Sequence, residues 1–336
     1  MLVEDFVLSP DKSLTPAYRI SPFKTSDIAR NRALPFSASI DEYFRQRFAD
    51  RRFIYCESGR KAIHLALRTL GLDRQDIVTI LTPTGNFYIS GCVTREIEKF
   101  CRWAREIVPQ TKALLVNHEF GFPYEELRAL CRFNVPIIED AAHAFTSNNR
   151  EQSAGQVGDF VVYSFPKFFP IQTGGLLVFH EPRTAAVSET SRSKVQGPNA
   201  RSSNVEALHE HYSIDEPLAS SAKQYIQKVL SAHIDNLADT AKKRRQNHQT
   251  LATRFRQFGC TARFQLSENS VPGVFIFQTP AGVDLPALKT FVQEHGIESS
   301  VFYGEQAFFL PVHERLAPAD LEYFAQVVSA FLPHPR

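Results

Sequence analysis

No run of apolar residues in this chain approaches the ~20 needed to cross a bilayer. The opening, MLVEDFVLSPDKS, lacks the basic-then-apolar layout of a secretion signal. A cytoplasmic protein with no membrane partner is the expectation. Cysteine is scarce: Cys56, Cys92, Cys101, Cys131 and Cys260 are scattered and show no metal-type spacing, so they read as reduced thiols and leave no metal site. Charge of one sign is lacking as well. The 38 Lys and Arg residues face 36 Asp and Glu mixed along the chain, a net charge of +2, which argues against a nucleic-acid partner. No internal repeat is visible. What is present is bulk: 336 residues with 43% hydrophobic content can bury a large core and, by length, two domains.

Strand-like and helix-like runs alternate along the first half. SIDEYFRQRFA (39–49) reads as a short amphipathic helix and RFIYC (52–56) as a strand. In ESGRKAIHLALRTLGL, Ala62, Ile63, Ala66, Leu67 and Leu70 recur at helical spacing, and Gly71 is a natural stop. DIVTILTP (76–83), KALLVNH (112–118), VPIIED (135–140), DFVVYSF (159–165) and GGLLVF (174–179) read as strands, with helices over 93–107 and 124–133. Continuous apolar strands alternating with helices predict an α/β fold, a mostly parallel sheet covered by helices on both faces. Residues 183–215 are polar and read as an exposed excursion. Helices over 217–232 and 234–258 follow, then a strand at 274–280 and helices over 284–297 and 317–332. The expected organisation is an N-terminal arm (1–35), a large α/β domain (36–215), connecting helices (216–258) and a smaller C-terminal α/β domain (259–336).

In a mostly parallel sheet, ligands bind beyond the carboxyl ends of the strands. CESGRKA, TPTGNF, IIEDAAHAF and YSFPK all fall at such ends, so segments far apart in sequence converge. Lys167 stands among Phe165, Phe168 and Phe169. An amine there is desolvated, its pKa is lowered, and a neutral lysine is a nucleophile toward an aldehyde. Taken alone, such a lysine more often lays its stem on the rings and reaches water with its tip. Asp140 ends the VPIIED strand, where its carboxylate suits the acid partner required by the ring nitrogen of pyridoxal phosphate. A helix cap or a structural ion pair would use the same residue. His143 can stack on a ring face or simply pack in the core. Ser58-Gly59 opens a helix, so the amides of Gly59, Arg60 and Lys61 can converge on a phosphate, although an ordinary cap looks the same. Ser164, three residues before Lys167, can reach the same anion. Phe87 in TPTGNF can cover the other ring face or serve as core packing.

The order of these segments, ending in K-x(6)-GG, resembles the DegT/DnrJ/StrS family of pyridoxal-phosphate-dependent sugar aminotransferases. The similarity continues in NLADTAKKRRQNHQTLATRF and HGIESSVFYGEQAFFLPVHERL. The resemblance implies the aspartate-aminotransferase fold (fold type I), with a large and a small domain, in a homodimer with active sites at the interface. By position it implies Lys167 as the residue joined to pyridoxal phosphate and as acid and base. It implies Asp140 on the pyridine nitrogen, His143 and Phe87 on the two ring faces, and Ser164 with the amides after Ser58 on the phosphate. The implied reaction moves an amino group from an amino acid, glutamate in the family, to a keto sugar, nucleotide-linked, in surface-polysaccharide or secondary-metabolite biosynthesis. The chain departs from the family in several places. Serine and lysine are three residues apart where five is usual, and SGR replaces Ser-Gly-Thr. No strand is expected between Val93 and TKALLV, and no glycine- and asparagine-rich motif is seen around 195–220. Two other readings stay open: a non-catalytic or regulatory protein on the same fold, and an enzyme acting on a smaller carbonyl.

Overall fold

The computed structural model describes residues 16–48, 51–180 and 218–332. The polar stretch 183–215, residues 1–15 of the expected arm and most of 195–220 lie outside them. Among the described residues no helix is long and apolar enough to cross a membrane.

The first sheet holds β1 (Arg51–Cys56), β2 (Ile77–Leu81), β3 (Arg102–Ala104), β4 (Thr111–Asn117), β5 (Ile137–Asp140), β6 (Phe160–Ser164) and β7 (Gly175–His180), in the order β1-β7-β6-β5-β4-β2-β3. Only β7 opposes its neighbours; every other pairing in this sheet is parallel. The reversal follows from the connection. Residues 165–174 between β6 and β7 are too few for the helical crossover that a parallel return needs.

The helices α1 (Asp27–Ala33), α2 (Ser39–Arg47), α3 (Gly59–Thr69), α4 (Gly91–Ile97) and α5 (Ser220–Ser231) surround this sheet. Alternation along the strands sorts the core. Phe160 and Val162 pack with Ala62, Ile63 and Ala66 of α3 and Ile97 of α4. Val161 and Tyr163 turn the other way, to Ile40 and Phe44 of α2 and Ile226 and Leu230 of α5. Burial of one such aliphatic side chain contributes about 1.5–3 kcal/mol. This two-faced cover is the α/β arrangement that the apolar strands predict.

Two expected helices are replaced. Residues 93–107 do not form one helix: α4 ends at Ile97, and Arg102–Ala104 form the edge strand β3, parallel to β2. The strand expected to be missing is therefore present, too short and too polar to read from sequence. Over 124–133 there are turns and a 3-10 segment, Arg128–Phe133. The Tyr124 amide is tied to Nδ1 of His118, and the Asn149 side chain takes the carbonyls of Tyr124 and Glu125, groups that an α-helix would need.

The chain continues through α6 (Leu237–Arg256) into a second, antiparallel sheet of β8 (Thr261–Ala262), β9 (Val274–Gln278), β10 (Ser300–Phe302) and β11 (Ala307–Pro311), ordered β10-β11-β9-β8. The helices α7 (Leu285–Glu294) and α8 (Pro318–Phe331) cover it, around Phe255, Phe275, Phe277, Phe308 and Phe324. The segment before α2 touches both sheets' surroundings: Ser21 and Asn31 donate to the carbonyls of Pro166 and Pro170 in the loop after β6. Tyr18 bridges to Ile297 and packs against Tyr323 and Phe324, while Asp27 is buried in an ion pair with Arg315.

Candidate active site

A cavity of about 710 Å³ opens where the carboxyl ends of β1, β4, β5 and β6 meet the second sheet. Its wall includes Gly59, Arg60, Asp140, His143, Ser164 and Lys167, so six of the eight residues singled out from sequence come together.

Glu139 and Asp140 show how one strand end serves two purposes. The Glu139 side chain is fully buried and accepts hydrogen bonds from the amides of Gly155 (2.5 Å), Val157 (2.9 Å) and Gly158 (2.5 Å) and from Nε2 of His118 (3.0 Å). Nδ1 of His118 accepts from the Tyr124 amide, so its proton is on Nε2. Burial alone would raise the Glu139 carboxyl; the His118 contact and the amides outweigh it and hold it below the usual range. Asp140 points the other way, into the cavity wall. Its Oδ1 accepts from the Ala142 amide (3.1 Å) and its Oδ2 from Nδ2 of Asn117 (2.9 Å). Burial pushes this carboxyl up, opposed by the Ala142 amide, His118, Asn117 and Lys167.

Lys167 closes the 3-10 turn Phe165–Lys167 that follows β6, and its charge is felt by both Asp140 and His143. The His143 ring is neutral. Burial, then the charges of Lys167 and Arg244, hold its pKa well below the ordinary histidine range. Its ring lies 5.1 Å from that of Phe120, whose backbone has a positive φ of 48°.

The start of α3 forms a cradle. Ser58 caps the helix by accepting from the Lys61 amide at 3.3 Å. A Cβ at Gly59 would lie 2.9 Å from the Cβ of Ser164, so the helix start and the end of β6 touch because residue 59 has no side chain. Gly175 permits the next contact. A Cβ there would lie 2.5 Å from the Ser58 carbonyl carbon and 2.7 Å from the Gly59 nitrogen. Gly175, the second of the Gly-Gly pair after Lys167, thus lets β7 run against the cradle. Arg60 reaches across it, its Nη2 2.8 Å from Sγ of Cys92. Partial burial raises the Cys92 thiol, but hydrogen bonds from Arg60 and Ser90 and the charges of Arg60 and Lys167 outweigh it, and the thiol sits below the ordinary cysteine range.

Two expected contacts fail. Phe87 is 69% exposed and does not line the cavity; Tyr88 does. The reason is the turn before it. The Asn86 side chain accepts from the Tyr88 amide at 2.5 Å and donates to Glu305, and Arg105 holds the Asn86 carbonyl, which turns Tyr88 inward and Phe87 out. Lys61 is also absent from the wall, and its amide is used in the Ser58 cap.

Sequence reasoning missed Asn117 and Cys92 in the wall. Asn117 had a signal: it ends β4 in register with Asp140. Cys92 had none: it lies in the first turn of α4, which starts at Gly91, before the helix expected from residue 93.

This donor set fits pyridoxal phosphate: a dry carboxyl for a ring nitrogen, a lysine for an aldehyde, and helix-start amides for a phosphate. The model of the DegT/DnrJ/EryC1/StrS aminotransferase family matches residues 101–330. The chain belongs to this family. A family relative, the GDP-perosamine synthase of Caulobacter vibrioides, is 28% identical over 183 residues, 47% of this chain and 48% of that protein. The chain thus spans about half the length of that relative. The pleiotropic regulatory protein of Geobacillus stearothermophilus is 25% identical over 296 residues, covering 80% of this chain and 74% of its own. Among solved structures, the aminotransferase TlmJ from Streptoalloteichus hindustanus shares the fold with a TM-score of 0.68 and 17% identity, over 93% of this chain and 98% of that one.

Proposed function

We propose that this family member is a pyridoxal-phosphate-dependent aminotransferase that moves an amino group from an amino acid, glutamate in the first instance, to a keto sugar linked to a nucleotide. The observation that carries the reading is the meeting, in one cavity, of the buried Asp140 carboxyl, the Lys167 amine and the glycine-lined helix start at Ser58. When bound, pyridoxal phosphate supplies an aldehyde that captures amines and a ring that withdraws electrons from the carbon next to the captured nitrogen.

The chain's own residues do the rest. Asp140, screened from water, keeps a proton on the ring nitrogen. The neutral His143 covers one ring face without adding charge, and Tyr88 takes the place expected of Phe87. The Gly59 and Arg60 amides with Ser164 hold the phosphate, while Lys61 serves the cap. Lys167 serves as nucleophile and as the base that removes the α-proton of the donor. A relative named for GDP-perosamine supports a nucleotide-linked sugar as acceptor. A role in surface-polysaccharide or secondary-metabolite biosynthesis, in the cytoplasm and as a homodimer, goes with this reading. A regulatory role on the same fold is the second reading, favoured by the relative named a pleiotropic regulatory protein.

Purified protein incubated with pyridoxal phosphate should gain a visible absorption band that borohydride removes, and Lys167→Ala should lack it. A band unchanged in that variant overturns the assignment of Lys167. Formation of 2-oxoglutarate from glutamate with a panel of nucleotide-linked keto sugars separates the enzyme from the regulatory reading.

A further inference from the structure

We propose that Arg244 is a positioning residue for Lys167: from α6 its guanidinium grips the backbone of the lysine's loop by donating to two successive carbonyls, and so sets where the Lys167 amine points. The inference rests on the reading of Lys167 as the residue that captures the cofactor.

The loop 165–174 opens with a single 3-10 turn, Phe165–Lys167, and leaves several of its carbonyls without a main-chain partner. Pro166 and Pro170 have no N–H to give. Its internal bonds run from the Phe168 and Phe169 amides to the Phe165 carbonyl, from the Ile171 amide to the Phe169 carbonyl, and from the Phe165 amide to the Gly174 carbonyl, which closes the loop. Four of its carbonyls are instead met by side chains from elsewhere. Ser21 Oγ donates to Pro166 O (2.7 Å), Asn31 Nδ2 to Pro170 O (2.8 Å), Arg244 Nη1 to Lys167 O (3.3 Å) and Arg244 Nη2 to Phe168 O (3.2 Å). Arg244 supplies two of the four, in the two successive peptides that flank Phe168.

Arg244 is itself held. It is 0% exposed, its Nε donates to Glu314 at 2.9 Å, and its guanidinium carbon lies 4.6 Å over the Phe168 ring. A buried guanidinium is a costly way to fill space, and an apolar side chain of that volume packs as well or better. What methionine or leucine cannot do is present a planar fork with two parallel N–H groups to neighbouring oxygens. The contact therefore serves geometry rather than packing. Its effect on Lys167 passes through the main chain, since Arg244 touches the carbonyl of residue 167 and not the amine.

The test compares Arg244→Met, which keeps the volume without the fork, and Arg244→Ala, which leaves room for added guanidinium ion. Phe255→Leu, on the same helix but facing the second sheet, serves as a destabilised control. In the apoproteins, hydrogen exchange at the Phe168 and Phe169 amides is read first. Capture of pyridoxal phosphate at Lys167 is then timed by borohydride reduction and mass analysis of the Lys167 peptide. Loss of the fork should speed exchange at both amides and slow capture roughly 10- to 100-fold, the usual result of a misplaced reacting group. Millimolar guanidinium should restore Arg244→Ala and leave the control unmoved. Wild-type exchange and capture rates in both Arg244 variants would overturn the proposal, as would equal slowing in Phe255→Leu. If wild-type protein takes no cofactor at Lys167, the reading of Lys167 fails; the grip on the loop is then decided by the exchange rates alone.

Discussion

The side-chain amide of Asn117 donates to the carboxylate of Asp140 across 2.9 Å, from the neighbouring parallel strand and in register with it. With the Ala142 amide on the other oxygen, the carboxylate is fixed at both ends before any ligand arrives. Asn117→Leu should free one end and leave a buried oxygen short of a donor. Hydrogen bonds to charged groups contribute about 1.5–3 kcal/mol, so affinity for pyridoxal phosphate should fall roughly 10- to 100-fold. Absorbance titration of the apoprotein checks this. Unchanged affinity would mean that Asn117 does not orient the acid.

Gly175→Ala should damage the cradle from behind. The new Cβ would meet the backbone of Ser58 and Gly59, at 2.5–2.7 Å, rather than the tip of a mobile side chain. Either β7 or the start of α3 must move. Overpacking of this kind costs about 1–3 kcal/mol. Protection of the apoprotein by inorganic phosphate, read as a rise in melting temperature, should be lost together with that stability. Full phosphate protection in a destabilised variant would place the anion elsewhere.

Much of the large sheet is legible because β4, β5 and β6 are unbroken apolar runs, and the parallel-sheet rule then points to Asp140, Ser164 and Ser58 without any structure. What escaped sequence depends on tertiary partners. β3 is three residues long, and its sequence, RWA, has no pattern to read. The inward turn of Tyr88 rather than Phe87 is decided by Asn86, Glu305 and Arg105, three residues spread over some 220 positions. The end of the helix near 97 likewise has no proline or glycine to mark it. Lys167 was visible as an oddity of charge among rings, but the side chains holding its loop, Ser21, Asn31 and Arg244, belong to segments that read as an arm and a connector.

Glu139→Gln should be strongly destabilising although it keeps the shape. Two carboxylate oxygens meet four donors; an amide in their place turns an NH₂ toward N–H groups. Breaking a buried charged network in this way costs about 3–5 kcal/mol. The folded carboxyl titrates below its unfolded value, so its contribution is present above the unfolded value and is lost as pH falls through the folded one. Denaturant unfolding at a series of pH values should therefore show the gap between wild type and variant closing in acid. A constant gap would mean that the lost charge is not the cause.

His248 gives a sharper acid signature. Its ring is 3% exposed, lies edge-on to Phe275 at 5.1 Å, and its Nε2 finds no partner among the described residues. Burial pushes its pKa down to about 4. Because the folded value is the lower one, protonation favours the unfolded chain. The native state keeps its full margin above about 6.5 and loses it as pH falls toward 4. The loss approaches 3 kcal/mol, at about 1.4 kcal/mol for each pH unit between the two values. His248→Phe removes the titration and the unpartnered nitrogen together while keeping an aromatic ring against Phe275. His313, also pushed down, to about 3, still titrates in both proteins, so the quantity to read is their difference. The variant's melting temperature should stand close to wild type at pH 7 and progressively above it from pH 6.5 to 4. Parallel curves across that range would show that His248 is not the group whose protonation opens the fold.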